Sequence, residues 1–146
     1  MNTPRLSSET IHASSVAIDG RVVLISGRSG QGKSDLALRL IDRGASLVSD
    51  DYTFVRRVDG RLLAAAPERI AGKIEVRGVG IVEMPAVANE PVALFVDLDL
   101  TPQRLPEPGE TRMIAGLPVP VVALAGLEPS APIKVEAALR LFGIAL

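Results

Sequence analysis

Gly27-Arg28-Ser29-Gly30-Gln31-Gly32-Lys33-Ser34 is the stretch from which the rest of this 146-residue chain can be placed. It fits the phosphate-loop (P-loop, Walker A) pattern: two glycines with four residues between them, then Lys and Ser. Gly27 and Gly32 let the backbone curl so that its N–H groups converge on phosphate oxygens, where a Cβ would obstruct. Arg28, Ser29, Gly30 and Gln31 form the tolerant middle of the same nucleotide-binding loop. Lys33 can reach the β- and γ-phosphates as a point charge, and the Ser34 hydroxyl can ligate Mg²⁺. The flanks have the order this chemistry needs. Arg21 to Ile25 is an apolar run of strand length, and Asp35 to Arg43 has helical spacing with Gly44 as its stop. A helix that starts at the loop adds its dipole to phosphate binding. The alternative is a glycine-rich turn that merely joins a strand to a helix.

Composition narrows the class. At 47% hydrophobic residues the chain can bury a core, which must be mostly Val, Leu, Ile and Ala because there are three Phe, one Tyr and no Trp. One domain spanning residues 1–146 is expected, with 1–8 as a loose terminus. Sixteen basic against seventeen acidic residues argue against a broad nucleic-acid surface. The absence of cysteine removes disulfides, thiolate metal sites and a cysteine nucleophile. The polar start carries no signal-peptide pattern, and no apolar run approaches the roughly 18 residues of a membrane span. A cytoplasmic protein without membrane or nucleic-acid partners is the expectation.

Thr10 to Ile18 reads as a strand, and Asp19-Gly20 turns it back into the strand before the loop. This first strand carries His12, the only histidine. Beyond the helix, Ala45 to Val48 is a short strand ending in Ser49-Asp50-Asp51. Acidic residues beside a phosphate loop are where nucleotide-hydrolysing and phosphoryl-transferring proteins place a metal ligand or a base; a solvated turn is the plain alternative. Tyr52 to Ala66 reads as a hairpin around Asp59-Gly60, its arginines on a wet face. In Ile74 to Arg77 alternation puts Glu75 and Arg77 on one side of a strand, where they can hold a metal ion and a phosphate or simply pair with each other at the surface, and the pairing is the expectation. Val92 to Asp99 is a buried-type strand whose acidic end makes Asp97 a rival carboxylate, and spacing does not choose between it and Asp51. Thr101 to Glu110 is a proline-rich loop bearing Arg104. Pro118 to Leu124 is a strand, and Ile133 to Phe142 an amphipathic helix.

In combination and in order, His12, the phosphate loop, Leu47-Val48-Ser49-Asp50-Asp51 and Ile74-Glu75-Val76-Arg77-Gly78-Val79-Gly80-Ile81 resemble the catalytic domain of the bacterial HPr kinase/phosphorylase family. The last segment matches a family signature of hydrophobic-Glu-hydrophobic-Arg-Gly-hydrophobic-Gly. The resemblance runs from about His12 to Leu141. It implies an α/β fold of the HPr kinase/PEP carboxykinase type, a P-loop-containing central sheet with flanking helices. It also implies an ATP- and Mg²⁺-dependent kinase that phosphorylates a serine of the phosphocarrier HPr, with removal of that phosphate by inorganic phosphate to give pyrophosphate. By position, Lys33 would bind phosphates, Ser34 and Glu75 the metal, and Asp51 would exchange the serine proton near His12. Asp50 would stand beside it, Arg77 would face phosphate and Arg104 would be the loop arginine. The chain resembles a short form without the additional N-terminal domain of many members, and homo-oligomerisation is left open. Its Leu127-Glu128-Pro129-Ser130-Ala131 stretch lacks the Arg-bearing loop of longer members. Two rivals stand beside this reading: a small-molecule kinase or NTPase using Asp97, and a non-catalytic nucleotide-sensing module.

Overall fold

A computed structural model of the chain describes residues 7–146. Its centre is β3 (Arg21–Ser26), in which Val22 to Ile25 are all buried. Both faces of this strand are covered, so it reads as an unbroken apolar run rather than an alternating one. Val23 and Ile25 face the two helices, α1 (Lys33–Asp42) and α2 (Ala131–Phe142), while Val22 and Leu24 face a second core on the opposite side.

Nine strands form the main sheet. On one side of β3 lie β2 (Ser14–Ile18) and then β4 (Ser46–Ser49), both antiparallel to their neighbours. On the other lies β9 (Glu90–Asp97), parallel to β3. The far edge of β9 is shared: β6 (Arg61–Ala65) pairs with its start, and β11 (Leu117–Ala123) runs parallel to its end. The β6 branch continues through β5 (Thr53–Val58) to β1 (Ser8–Ile11), and β10 (Thr111–Ile114) pairs with β11. A separate hairpin, β7 (Lys73–Val76) with β8 (Gly80–Glu83), packs its buried Ile74 among the core residues of α1.

The α/β class and the strand–loop–helix order are as expected, with four local differences. Of the terminus expected to be loose, residues 1–6 lie outside the described residues, and Ser8 already opens β1. The strand expected over Thr10–Ile18 is two strands. The chain turns at His12, where the Ala13 N–H bonds the Ile11 carbonyl, so β1 joins β5 and β2 joins β3. Strand β10 and its turn to β11 carried no turn signal, because Ala115 occupies the left-handed position (φ 46°) that Asn or Asp usually fills. Its methyl is buried in the second core, which accounts for the choice of alanine. Among the described residues no Glu75–Arg77 ion pair forms; both side chains are exposed.

Candidate functional site

Residue spacing on α1 decides how the loop presents its cation. Lys33, Leu36, Ala37 and Leu40 share one buried stripe, so Lys33 points inward beneath the loop instead of into solvent. Its Nζ donates to the Gly27 carbonyl at 2.8 Å and is 8% exposed. Gly32, at φ 91°, turns the chain into α1, and no side chain caps the first helical N–H groups. The Cβ of any other residue at Gly27 would meet Leu98 Cβ at 2.9 Å. The result is a cradle of backbone donors with a buried ammonium behind it, a match to an anion.

Two passages of chain meet beside this cradle. One is the bend at His12 between β1 and β2; the other is Ser49 to Tyr52 between β4 and β5. Both are places where the chain crosses between the central part of the sheet and the β5–β6 branch, entering the centre at His12 and leaving it after Ser49. The two adjacent aspartates of the second passage are sent in opposite directions. Asp50 is buried at 7% exposure: its Oδ1 accepts from Ser14 Oγ at 2.9 Å and Ser34 Oγ at 2.6 Å, and its Oδ2 from the Glu75 N–H at 2.9 Å. Asp51 sits in the left-handed region (φ 67°) that turns its carboxylate outward, to 53% exposure. Its Oδ1 lies 2.9 Å from His12 Nε2 and 4.0 Å from Lys33 Nζ.

Ser14 ties these groups together. Its hydroxyl donates to Asp50 and accepts the Asp51 N–H at 3.0 Å. Tyr52 stacks on the His12 ring with centroids 4.8 Å apart, and Ser49 Oγ donates to the Tyr52 carbonyl. Neither Ser14 nor Tyr52 was singled out from the sequence. The available signal was Ser14-Ser15, two adjacent polar residues leading an apolar strand, and the structure buries both fully.

The rival carboxylate is otherwise engaged. Asp97 accepts from Arg112 at 2.9 Å through Oδ2, and its Oδ1 takes the N–H groups of Asp99 and Leu100. Arg112 also lies over the Phe95 ring, 4.4 Å from its centroid. Beyond it, Asp99 accepts the Arg28 backbone N–H at 3.0 Å and Arg28 Nε at 3.2 Å. That backbone bond first, then the Arg28 guanidinium and the Lys33 charge, hold the Asp99 carboxyl below the usual carboxylate range, against partial desolvation.

The structure therefore brings His12, Lys33, Ser34, Asp50 and Asp51 into one cluster, with Glu75 joined to it through its backbone. The Arg77 and Arg104 side chains are exposed and make no hydrogen bond to the cluster. Gly30 and Ser29 lie at the open rim of the loop. As for a metal, among the described residues no three His, Cys, Asp or Glu side chains converge into a cage. Mg²⁺ with a nucleotide needs no such cage, since one or two protein oxygens suffice beside phosphates and water. Ser34 fits that role: donating its proton to Asp50 leaves its lone pairs available.

Comparison with known proteins agrees with this architecture. The family model described as the HPr Serine kinase C-terminal domain matches residues 5–93. The HPr kinase/phosphorylase of Clostridium tetani is 42% identical over 84 residues, which are 57% of this chain and 28% of that protein. That of Clostridium acetobutylicum is 44% identical over the same length. The chain thus spans little more than a quarter of these curated relatives. The solved Hpr(Ser) kinase/phosphatase from Coxiella burnetii superposes with a TM-score of 0.79 at 31% identity, covering 91% of this chain and 89% of that one. With a model matched over more than half its length and a shared fold over nearly all of it, the chain belongs to the HPr serine kinase C-terminal domain family.

Proposed function

We propose that this domain is an ATP- and Mg²⁺-dependent protein serine kinase whose acceptor is an HPr-type phosphocarrier, and that it also runs the reverse, phosphate-driven reaction to pyrophosphate. The observation that supports this most is the placement of Asp51: an accessible carboxylate 2.9 Å from an imidazole and 4.0 Å from the buried lysine of the loop. A serine hydroxyl is a poor nucleophile, so a base must take its proton as it attacks. Asp51 is exposed enough to meet an incoming hydroxyl and close enough to Lys33 for that hydroxyl to be near bound phosphate. Asp50, enclosed by three donors, is not.

The roles then divide by burial. Lys33 and the loop N–H groups bind the β- and γ-phosphates. Ser34 and Glu75 would hold Mg²⁺, which would neutralise charge on the phosphates when bound. Asp50 keeps the Ser34 hydroxyl turned for that task. Asp51 takes the serine proton while the serine oxygen bonds phosphorus and the bond to ADP breaks. His12 keeps the Asp51 carboxylate in place, and Tyr52 fixes the plane of His12. In reverse, Asp51 starts protonated and returns its proton to the serine oxygen as inorganic phosphate attacks. Arg77 and Arg104, both open to solvent, are assigned to the phosphate, Arg77 facing it and Arg104 as the loop arginine that stabilises charge on the transferring group.

Substitution separates this from hydrolysis or small-molecule phosphorylation through Asp97. Asp51→Asn should abolish transfer to the carrier while ATP still binds, and Asp97→Asn should leave the chemical step in place. Loss of turnover in Asp97→Asn with full activity in Asp51→Asn would reverse the assignment.

A further inference from the structure

The topology fixes which way a bound nucleotide runs. β3, β9 and β11 are parallel, and Ser26, Asp97 and Ala123 stand in one row of the sheet. The loops that follow these strands therefore emerge side by side on one edge. The phosphate loop is the first of the three. On its other flank, the β2–β4 side, stand His12 and Asp51, where the reading above places the γ-phosphate. A triphosphate laid along the loop with its γ end there must carry its nucleoside toward the β9–β11 side.

The segment that waits on that side is Leu124 to Ser130. It is seated directly on the phosphate loop: a Cβ on Gly126 would lie 2.7 Å from the Gln31 carbonyl oxygen, and one on Gly32 would lie 2.8 Å from Leu127 Cδ2. Arg39 of α1 holds it there by donating to the Gly126 and Glu128 carbonyls. The segment is thus fastened to the helix whose N-terminus faces the phosphates. Yet Leu127, at its apex, is left 66% exposed against the loop. A large apolar side chain held by backbone contacts beside a polar cradle has the makings of one wall of a ligand site.

We infer that Leu127 is the nucleobase contact of this domain: the base of the bound nucleotide rests on the Leu127 side chain, with the 124–130 segment as a specificity wall pinned by Arg39. This rests on the nucleotide reading of the loop but adds a subsite on the opposite flank from the chemistry. It makes the affinity for a nucleoside triphosphate separable from the affinity for its phosphate chain.

The test is calorimetric titration of the wild type, Leu127→Ala and Leu127→Gln with MgATP and, separately, with magnesium tripolyphosphate, which has no base. Leu127 is exposed, so neither variant should disturb folding, and circular dichroism checks this. In both variants ATP should bind about fivefold or more weaker, as expected for losing some tens of Å² of apolar contact. Tripolyphosphate should bind within about twofold of wild type, and Leu127→Ile should restore ATP affinity. In wild type labelled at the leucine methyls, an intermolecular NOE should join Leu127 to a base proton. Equal weakening for both ligands, or no weakening of ATP, overturns the base contact while leaving the phosphate site intact. Failure of wild type to bind either ligand overturns the phosphate reading itself, and the base contact with it.

Discussion

Asp50 and Asp51 are adjacent, chemically identical and, on this structure, opposite in what they contribute, so replacing each should damage a different property. Asp50 takes three hydrogen bonds in a buried position, two from hydroxyls and one from the Glu75 N–H. Bonds to a charged acceptor contribute about 1.5–3 kcal/mol each, but both hydroxyls can rotate to other partners and burying the carboxylate is itself costly. Asp50→Ala should therefore cost about 3 kcal/mol, mostly from the stranded Glu75 N–H and the emptied space. In Asp50→Asn the amide oxygen can serve either the hydroxyls or the N–H but not all three, for a loss of about 1–2 kcal/mol. At roughly 3–4 °C per kcal/mol for a chain of this size, the Tm should fall by about 10 °C and about 5 °C respectively. Asp51→Asn removes an exposed pair worth under about 1 kcal/mol, and asparagine tolerates the left-handed backbone at least as well as aspartate. Its Tm should stay within about 3 °C of wild type while phosphoryl transfer falls by about 10²–10⁴. Differential scanning calorimetry beside a transfer assay reads both quantities. An Asp51→Asn protein as destabilised as Asp50→Ala, or an Asp50→Ala protein that melts with the wild type, would refute this division.

Three further outcomes follow from other contacts. Gly126→Ala puts a methyl 2.7 Å from both the Gln31 carbonyl oxygen and Leu98 Cδ1, so the phosphate loop must shift; stability should drop by about 1–3 kcal/mol in urea melts and ATP affinity should fall with it. Arg112→Ala strips Asp97, 10% exposed, of its ion-pair partner and uncovers the Phe95 ring, and should cost about 2 kcal/mol by the same melts. Asp99 is held below its usual carboxylate range in the folded chain, so it binds a proton less readily folded than unfolded. Its contribution to stability is complete above the unfolded value of 3.8 and is lost as pH falls through the lower folded value. Acid melts of wild type should therefore lose stability more steeply below about pH 4 than those of Asp99→Asn, whose amide has no proton to gain.

The parts of the fold legible in the sequence were those with local causes. The phosphate-loop spacing placed β3 and α1 to within a residue or two, and Asp19-Gly20 and Asp59-Gly60 marked two hairpins because both residues of each pair take positive φ. The β10–β11 hairpin uses Ala115-Gly116 for the same turn, and an alanine chosen for its buried methyl sends no turn signal. The bend at His12 was hidden for a similar reason. No Gly or Pro marks it, and it exists only because β5 and β3 draw the two halves of the stretch to different partners.

Site residues were legible as a set of types but not as an arrangement. His12 and Asp51 lie 39 residues apart and meet because β1 pairs with β5 and β2 with β4, on either side of them. Which of two neighbouring aspartates faces inward depends on one left-handed φ at Asp51, which composition and period cannot report. Asp97 ends a strand beside the loop, as a metal carboxylate would. Its oxygens are spoken for, Oδ1 by the N–H groups of Asp99 and Leu100 and Oδ2 by Arg112, a residue of a strand the sequence did not announce.

The claim on which the rest depends is transfer of phosphate to a protein serine. Purified domain is incubated with Mg²⁺, γ-labelled ATP and an HPr-type carrier, and label on the carrier is followed over time. Labelling at a single serine, lost in Lys33→Ala and in Asp51→Asn but retained in Asp97→Asn, is the predicted result. A domain that binds ATP yet leaves the carrier unlabelled would contradict it, and would move the nucleotide-sensing and small-molecule readings ahead.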